Sequence, residues 1–242
     1  MIFIDATEGL SGDTLLAAMM GLLDPQTIEE VSARFENASE SVGLEFRLLH
    51  IDEDGQTGLA ISYVQPEPTH YGASYEECFS RLAAIERELG SESSAGRAIL
   101  HTIFEAEAEA HGMPEGEVHL HEIGRPQALL NMAGIGLLST KLQEMGAGGF
   151  VCSTIATGRG IVVVSHGAMR IPAPATSILL RGLNHVPGDS PGERATPSGI
   201  AAVKVLVSSQ SDEIPKDIRR RAIGFGTKRF AGRLGRTTLT WF

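Results

Sequence analysis

The chain has 242 residues, 42% of them hydrophobic and 21% charged, with a formal net charge of −10 at pH 7. That size and apolar content allow a sizeable core, in one large unit or two small ones. The acidic balance argues against the basic footprint of non-specific nucleic-acid binding, and no run reaches the ~18 apolar residues of a membrane span.

Two cysteines far apart, Cys78 and Cys152, argue against a disulfide framework or a thiolate metal site. Met1-Ile2-Phe3-Ile4-Asp5 shows no basic-then-apolar leader pattern, so a cytoplasmic location is expected. In chain order, Ile2 to Ile4 reads as a buried strand ending at Asp5. The glycine-bearing loop Ala6 to Asp13 leads into a helix over Thr14 to Leu23. A strand, loop and helix in direct succession present backbone N–H groups to an anion. Asp5 and Asp13 could instead hold a cation, while Ser11 and Asp13 are also ordinary helix caps. The Gly-Lys-Ser/Thr ending of a Walker A loop is absent.

Pro25 opens a second helix to about Ala38, and Leu44–Ile51 and Leu59–Val64 read as strands around an Asp54-Gly55 hairpin turn. Helices follow over Ser74–Leu89, Ser94–Ala110 (closed by Gly112) and Pro126–Met145. Val151 to Val164 reads as strand with a turn at Arg159, and a short helix ends near Arg181. His185 to Arg194 reads as a polar loop or lid. Thr196 caps a helix to Leu206, with Pro197 at its first position. Strands over Arg219–Ile223 and Arg236–Trp241 flank the glycine-rich stretch 224–230. The irregular mixture predicts an α+β, or mixed α/β, fold: mixed sheets with flanking helices.

Between the fourth and fifth helices lies Glu117-Val118-His119-Leu120-His121-Glu122-Ile123-Gly124. On extended backbone His119 and His121 share one face and Glu122 takes the other, and a turn at Gly124 would let all three converge. Two neutral imidazoles at this spacing suit a borderline-soft cation such as nickel or zinc. A pair of partly buried or solvent-facing histidines fits the same pattern.

Several motifs together, in this order, resemble the LarC family. They are Phe3-Ile4-Asp5-Ala6 with Gly9-Leu10-Ser11-Gly12-Asp13; Glu107-x-Glu109-x-His111-Gly112 followed by Val118 to Gly124; Ser165-His166-Gly167 with Ile171-Pro172-x-Pro174-Ala175-Thr176; Thr196-Pro197-Ser198-Gly199-x-Ala201; and Ile223 to Thr227. The resemblance implies a nickel-insertion protein acting on a pyridinium-3,5-bisthiocarboxylic acid mononucleotide, the precursor of a nickel-pincer cofactor. It implies a CTP-dependent, lyase-type cyclometallase that uses a further divalent ion such as manganese or magnesium. His119, His121 and Glu122 would then meet nickel, and Asp5, Asp13 and His166 would be catalytic. Ser11, Gly12, Thr196, Ser198 and Gly199 would bind the mononucleotide phosphate.

Three departures stand out. Of the family's histidine-rich loop near 65–72 only His70 remains, and after Gly124 the family's aspartates are missing from Arg125-Pro126-Gln127-Ala128-Leu129-Leu130-Asn131. The chain also ends where the family's C-terminal, nucleotide-linked domain would begin. These features lead to an expected single family domain over 1–242, in two subdomains of about 1–72 and 73–242. CTP would be used only through a partner subunit carrying the missing domain, and a homo-oligomer is a further expectation. The alternative is a non-catalytic relative serving as a binding or assembly module.

Overall fold

The computed structural model describes residues 1–65, 73–120, 124–164 and 167–242. Strand β1 (Ile2–Asp5) leads through a loop to α1 (Gly12–Gly21), then α2 (Pro25–Glu40). The hairpin β2 (Glu45–Glu53) and β3 (Gln56–Val64) turns at Asp54 and Gly55, both at positive φ, as its Asp-Gly pair predicts. Next come β4 (Ala73–Ser74), α3 (Tyr75–Leu89), α4 (Ala95–His111), β5 (His119–Leu120) and α5 (Pro126–Glu144). Five short strands and a helix continue the chain: β6 (Phe150–Cys152), β7 (Ile155–Ala156), β8 (Gly158–Arg159), β9 (Ile161–Val164), β10 (Gly167–Arg170) and α6 (Pro174–Leu179). The C-terminal part holds β11 (His185–Val186), β12 (Gly192–Glu193), α7 (Pro197–Leu206), β13 (Val207–Gln210), β14 (Arg220–Phe230) and β15 (Arg233–Trp241).

The fold is mixed α+β. Its main sheet has seven strands in the order β13-β6-β1-β15-β14-β3-β2. Parallel pairs (β1 with β6, β6 with β13, β3 with β14) sit beside antiparallel ones. Strands β1 to β3 precede residue 72 and the other four follow it. Helix α1 packs on β3, β14 and β15, and α5 packs on α1. Beyond its polar first turn α1 is apolar, and it buries Leu15, Leu16, Met19 and Met20 completely. A Cβ at Gly224 would collide with the carbonyl of Thr14, so glycine in β14 lets the first turn of α1 lie against the strand.

Four stretches differ from the sequence reading. The strand expected over Val151–Val164 is four short strands in different sheets. The stretch from His185 to Arg194 holds β11 and β12, which pair with β7 and β8 and make it an ordered wall. The glycine-rich stretch 224–230 is strand, irregular between Phe225 and Arg229, with the hairpin turn displaced to Ala231 and Gly232 at positive φ. Strand β13 was not expected, because Val207-Ser208-Ser209-Gln210 is mostly polar and becomes strand by parallel pairing at the sheet edge.

Candidate functional site

The site grows from the loop between β1 and α1. Asp5 ends the strand, and its Oδ1 accepts from the Thr7 N–H (3.1 Å) and hydroxyl (2.6 Å), turning the chain. Leu10 then pairs in register with Ala195: its N–H donates to the Arg194 carbonyl and its carbonyl accepts from the Thr196 N–H, both at 2.9 Å. The loops that precede α1 and α7 are thereby joined edge to edge. Ser11 caps α1, and Thr14 Oγ1 accepts from the Ser11 N–H at 3.0 Å. Thr196 caps α7, its hydroxyl accepting from the Gly199 N–H at 3.4 Å.

Side chains at this junction line a cavity of about 150 Å³. Ser11, Asp13 and Thr14 come from the first loop and helix, Arg194 and Thr196 from the second, Lys228 and Arg236 from the terminal hairpin. Asp13 lies in the first turn of α1, where the helix dipole favours a carboxylate, and its Oδ1 accepts from Ser11 Oγ at 2.5 Å. Hydroxyl contacts continue inward from Ser11 to Thr14 (2.9 Å) and to buried Thr237 (2.8 Å). Arg236 is committed to Glu8 (2.5 Å) and Gln56 (2.6 Å). Lys228 is exposed, with no hydrogen-bond or ion-pair partner among the described residues.

A groove of about 870 Å³ adjoins this cavity and shares Arg194, Phe230 and Gly235 with it. The Arg194 guanidinium lies over the Phe230 ring, 5.2 Å from its centroid. Its ion pair is a long 3.7 Å contact with the highly exposed Asp189, and its buried Nε has no hydrogen-bond partner among the described residues.

The family model described as nickel insertion protein matches residues 2–238. The chain belongs to the nickel insertion protein family. A relative from Geotalea daltonii is 31% identical over 238 residues, covering 96% of this chain and 58% of the relative. A Thermotoga sp. protein named pyridinium-3,5-bisthiocarboxylic acid mononucleotide nickel insertion protein is 28% identical, covering 93% of this chain and 57% of its own. A Staphylococcus epidermidis protein of the same name is 29% identical, with coverages of 95% and 56%. The chain thus spans a little over half the length of these relatives. No solved structure matches it.

In this nickel insertion family member the residues singled out in the sequence fall into different places. Ser11, Asp13 and Thr196 line the small cavity together. Gly12, Ser198 and Gly199 lie behind it: a Cβ at Gly12 would lie 3.0 Å from Ser198 Oγ, and one at Gly199 2.6 Å from the Leu10 carbonyl. They set how closely α1 and α7 approach, and neither glycine forms part of the cavity wall. Asp5 lines neither space. His119 is exposed on β5, opposite Ser74 on β4, with Val118 and Leu120 buried on either side. It also lines neither space. His70, His121, Glu122 and His166 lie outside the described residues. Among the described residues, no three His, Cys, Asp or Glu side chains are grouped to hold a metal ion.

Two features escaped sequence reading. One is the cationic rim of Arg194, Lys228 and Arg236. Its only local signal was Arg194 two residues before the Thr196 cap, and basic residues interspersed with glycines near the C-terminus. The other is a polar contact behind the loop, where the Tyr63 hydroxyl donates to Asn131 Oδ1 at 3.0 Å. Burial, reinforced by the Asp13 charge, pushes the Tyr63 phenol well above its ordinary pKa and keeps it a donor. Gln127, one turn before Asn131 on α5, has a buried Oε1 without a hydrogen-bond partner among the described residues and donates to Gln65 at 3.3 Å.

Proposed function

We propose that this chain serves in nickel insertion into a pyridinium-3,5-bisthiocarboxylic acid mononucleotide, giving a nickel-pincer nucleotide. The observation that carries the reading is the match of the nickel insertion family model over residues 2–238, with Ser11, Asp13 and Thr196 gathered on one cavity. Nickel is substrate here. His119, with His121 and Glu122, is assigned to receive it, since neutral imidazole suits nickel. Asp13 is assigned to a second divalent ion such as manganese or magnesium, with oxygen donors suited to such hard cations. Asp5 and His166 retain proposed catalytic roles, and the phosphate is assigned to the Ser11 and Thr196 loops, with Gly12, Ser198 and Gly199 shaping them. CTP-dependent, lyase-type cyclometallation is assigned to this chain acting with a partner that carries the family's nucleotide-linked domain. A cytoplasmic setting and a homo-oligomer complete the proposal. Among the described residues no helix is long and apolar enough to cross a membrane.

A second reading, a non-catalytic binding or assembly module, is favoured by one observation. Gln127 and Asn131 stand in the segment where the family resemblance leads one to expect aspartates, and Asn131 Oδ1 is engaged by Tyr63. Amides at these positions bring no charge to a divalent cation.

Metal content separates the two. Protein purified without a histidine tag is exposed to equimolar nickel, manganese and zinc and analysed by mass spectrometry. Near-stoichiometric nickel, lost in the His119→Ala, His121→Ala double variant, supports the insertion reading. Absence of retained nickel moves the assignment to the binding module.

A further inference from the structure

Resting on the mononucleotide reading above, we infer that the small cavity and the adjoining groove form one two-part nucleotide site, in which Lys228 and Arg194 clamp the phosphoryl group and the groove takes the rest of the nucleotide.

The argument starts from charge. Three cationic side chains reach the small cavity, and two are at least partly spoken for: Arg236 by Glu8 and Gln56, and Arg194 by its long contact with Asp189. Lys228 has no partner among the described residues, and an ammonium on a flexible stem can follow an oxyanion as a point charge. Arg194 lies over the Phe230 ring, its Nη1 donates to the Glu8 carbonyl at a long 3.5 Å, and its buried Nε has no acceptor among the described residues. Buried donors are almost always satisfied, so a guanidinium that lines the cavity with one nitrogen unpartnered and two long contacts is left under-satisfied, which favours an acceptor beside it. The Ser11 and Thr196 hydroxyls add neutral hydrogen-bonding groups to the same walls.

Size and continuity supply the rest. A cavity of about 150 Å³ suits a phosphoryl group and not a whole nucleotide, whereas the groove of about 870 Å³ has room for a ribose and ring. Arg194 and Phe230 belong to both walls, so a ligand with its phosphoryl group in the cavity runs past them into the groove. Two carboxylates, Asp13 and Glu193, line the same cavity, so the anion must arrive beside positive charge, which Lys228 and Arg194 provide, alone or with a divalent ion.

The test uses nicotinic acid mononucleotide, its riboside and CTP as probes, titrated calorimetrically into the intact chain with and without magnesium. The mononucleotide is expected to bind at least about tenfold more tightly than the riboside, since a charge-assisted hydrogen bond contributes that much or more. Lys228→Ala should cut this difference at least several-fold and leave the riboside unchanged, and Lys228→Arg should restore most of it. Lys228 is exposed, so its loss leaves the fold intact by circular dichroism. Val186→Trp, placed on the groove wall, should weaken mononucleotide and riboside equally. The inference is overturned if the riboside binds as tightly as the mononucleotide, or if Lys228→Ala changes nothing. It is also overturned if CTP alone binds and depends on Lys228, which would assign the clamp to a triphosphate. Nickel retention measured on the same samples keeps the two readings apart: a failed clamp with nickel still bound refutes only this inference. A working clamp without nickel refutes the insertion reading.

Discussion

Leu10 and Thr196, 186 residues apart in the chain, are joined by a 2.9 Å backbone hydrogen bond from the Thr196 N–H to the Leu10 carbonyl. With the return bond from the Leu10 N–H to the Arg194 carbonyl, it makes the starts of α1 and α7 a single structural unit. Ser11, Asp13, Arg194 and Thr196 reach one cavity because of this junction.

Gly9 is the pivot of the junction. Its φ is +118°, and a Cβ there would lie 2.5 Å from the Arg194 carbonyl oxygen. Gly9→Ala should therefore destabilise the protein by roughly 1–3 kcal/mol, through backbone strain plus a displaced loop. Urea unfolding measures the loss, and an unchanged midpoint would show that the two loops separate at little cost.

Thr14 carries the inner hydroxyl contacts. It is 4% exposed and bonds both the Ser11 backbone and Thr237 Oγ1. Thr14→Val removes these partners while keeping the shape, at an expected cost of about 1–3 kcal/mol. In a double-mutant cycle, Thr237→Val should cost less in the Thr14→Val background than alone, because the two hydroxyls satisfy each other. Strict additivity would show that they do not act as a pair.

The two thiols offer a pH test. Burial pushes Cys78 up to about 11 and Cys152 up to about 12, from an ordinary value of 9.0. Both should resist a thiolate-specific reagent at pH 8 in the native protein and react fully in denaturant. The folded state holds these protons more tightly than the unfolded one. The associated stability is fully present below pH 9 and falls as pH rises toward the folded values. Rapid native labelling at pH 8 would contradict the buried placement.

Glu86 gives the same sign at acid pH. Its side chain is 3% exposed and pairs with Arg97 at 2.7 Å, but Oε1 has no hydrogen-bond partner among the described residues, and burial raises its pKa in spite of Arg97. A raised carboxylate pKa makes folding lose stability as pH climbs above the ordinary 4.5. Glu86→Gln should therefore flatten that part of the pH–stability curve, and a steeper slope in the variant would refute the assignment.

Gln127 and Asn131 test the choice between insertion and binding. They stand one turn apart on α5, and a Cβ at Gly12 would lie 3.5 Å from the Cβ of Asn131. Gln127→Asp with Asn131→Asp should lower stability without metal, by about 1–3 kcal/mol, since it puts one carboxylate in a buried position and a second in a half-buried one. Stability should return on adding nickel or manganese, read as a rise in melting temperature. Equal melting temperatures with and without metal would mean that this face of α5 does not meet a cation.

The amino-acid sequence by itself determined the features that close over a few residues. Ser11 and Thr196 are caps, Asp54-Gly55 is a hairpin turn and Gly112 ends α4, because each acts on backbone groups within one helical turn or hairpin. The ordered motifs carried the family and mixed α+β character for the same reason. Tertiary structure alone decided the rest. Lys228 and Arg236 reach the Ser11 loop only through the pairing of β15 with β1 and β14, across more than 200 residues of chain. Polar β13 became strand, and the glycine-rich stretch joined β14, because the sheet provided partners that local pattern cannot reveal. Extended backbone at His119 was one reading of the sequence, but neither its exposure nor its separation from the cavity that Ser11, Asp13 and Thr196 share was legible, since sequence spacing does not determine how distant loops meet.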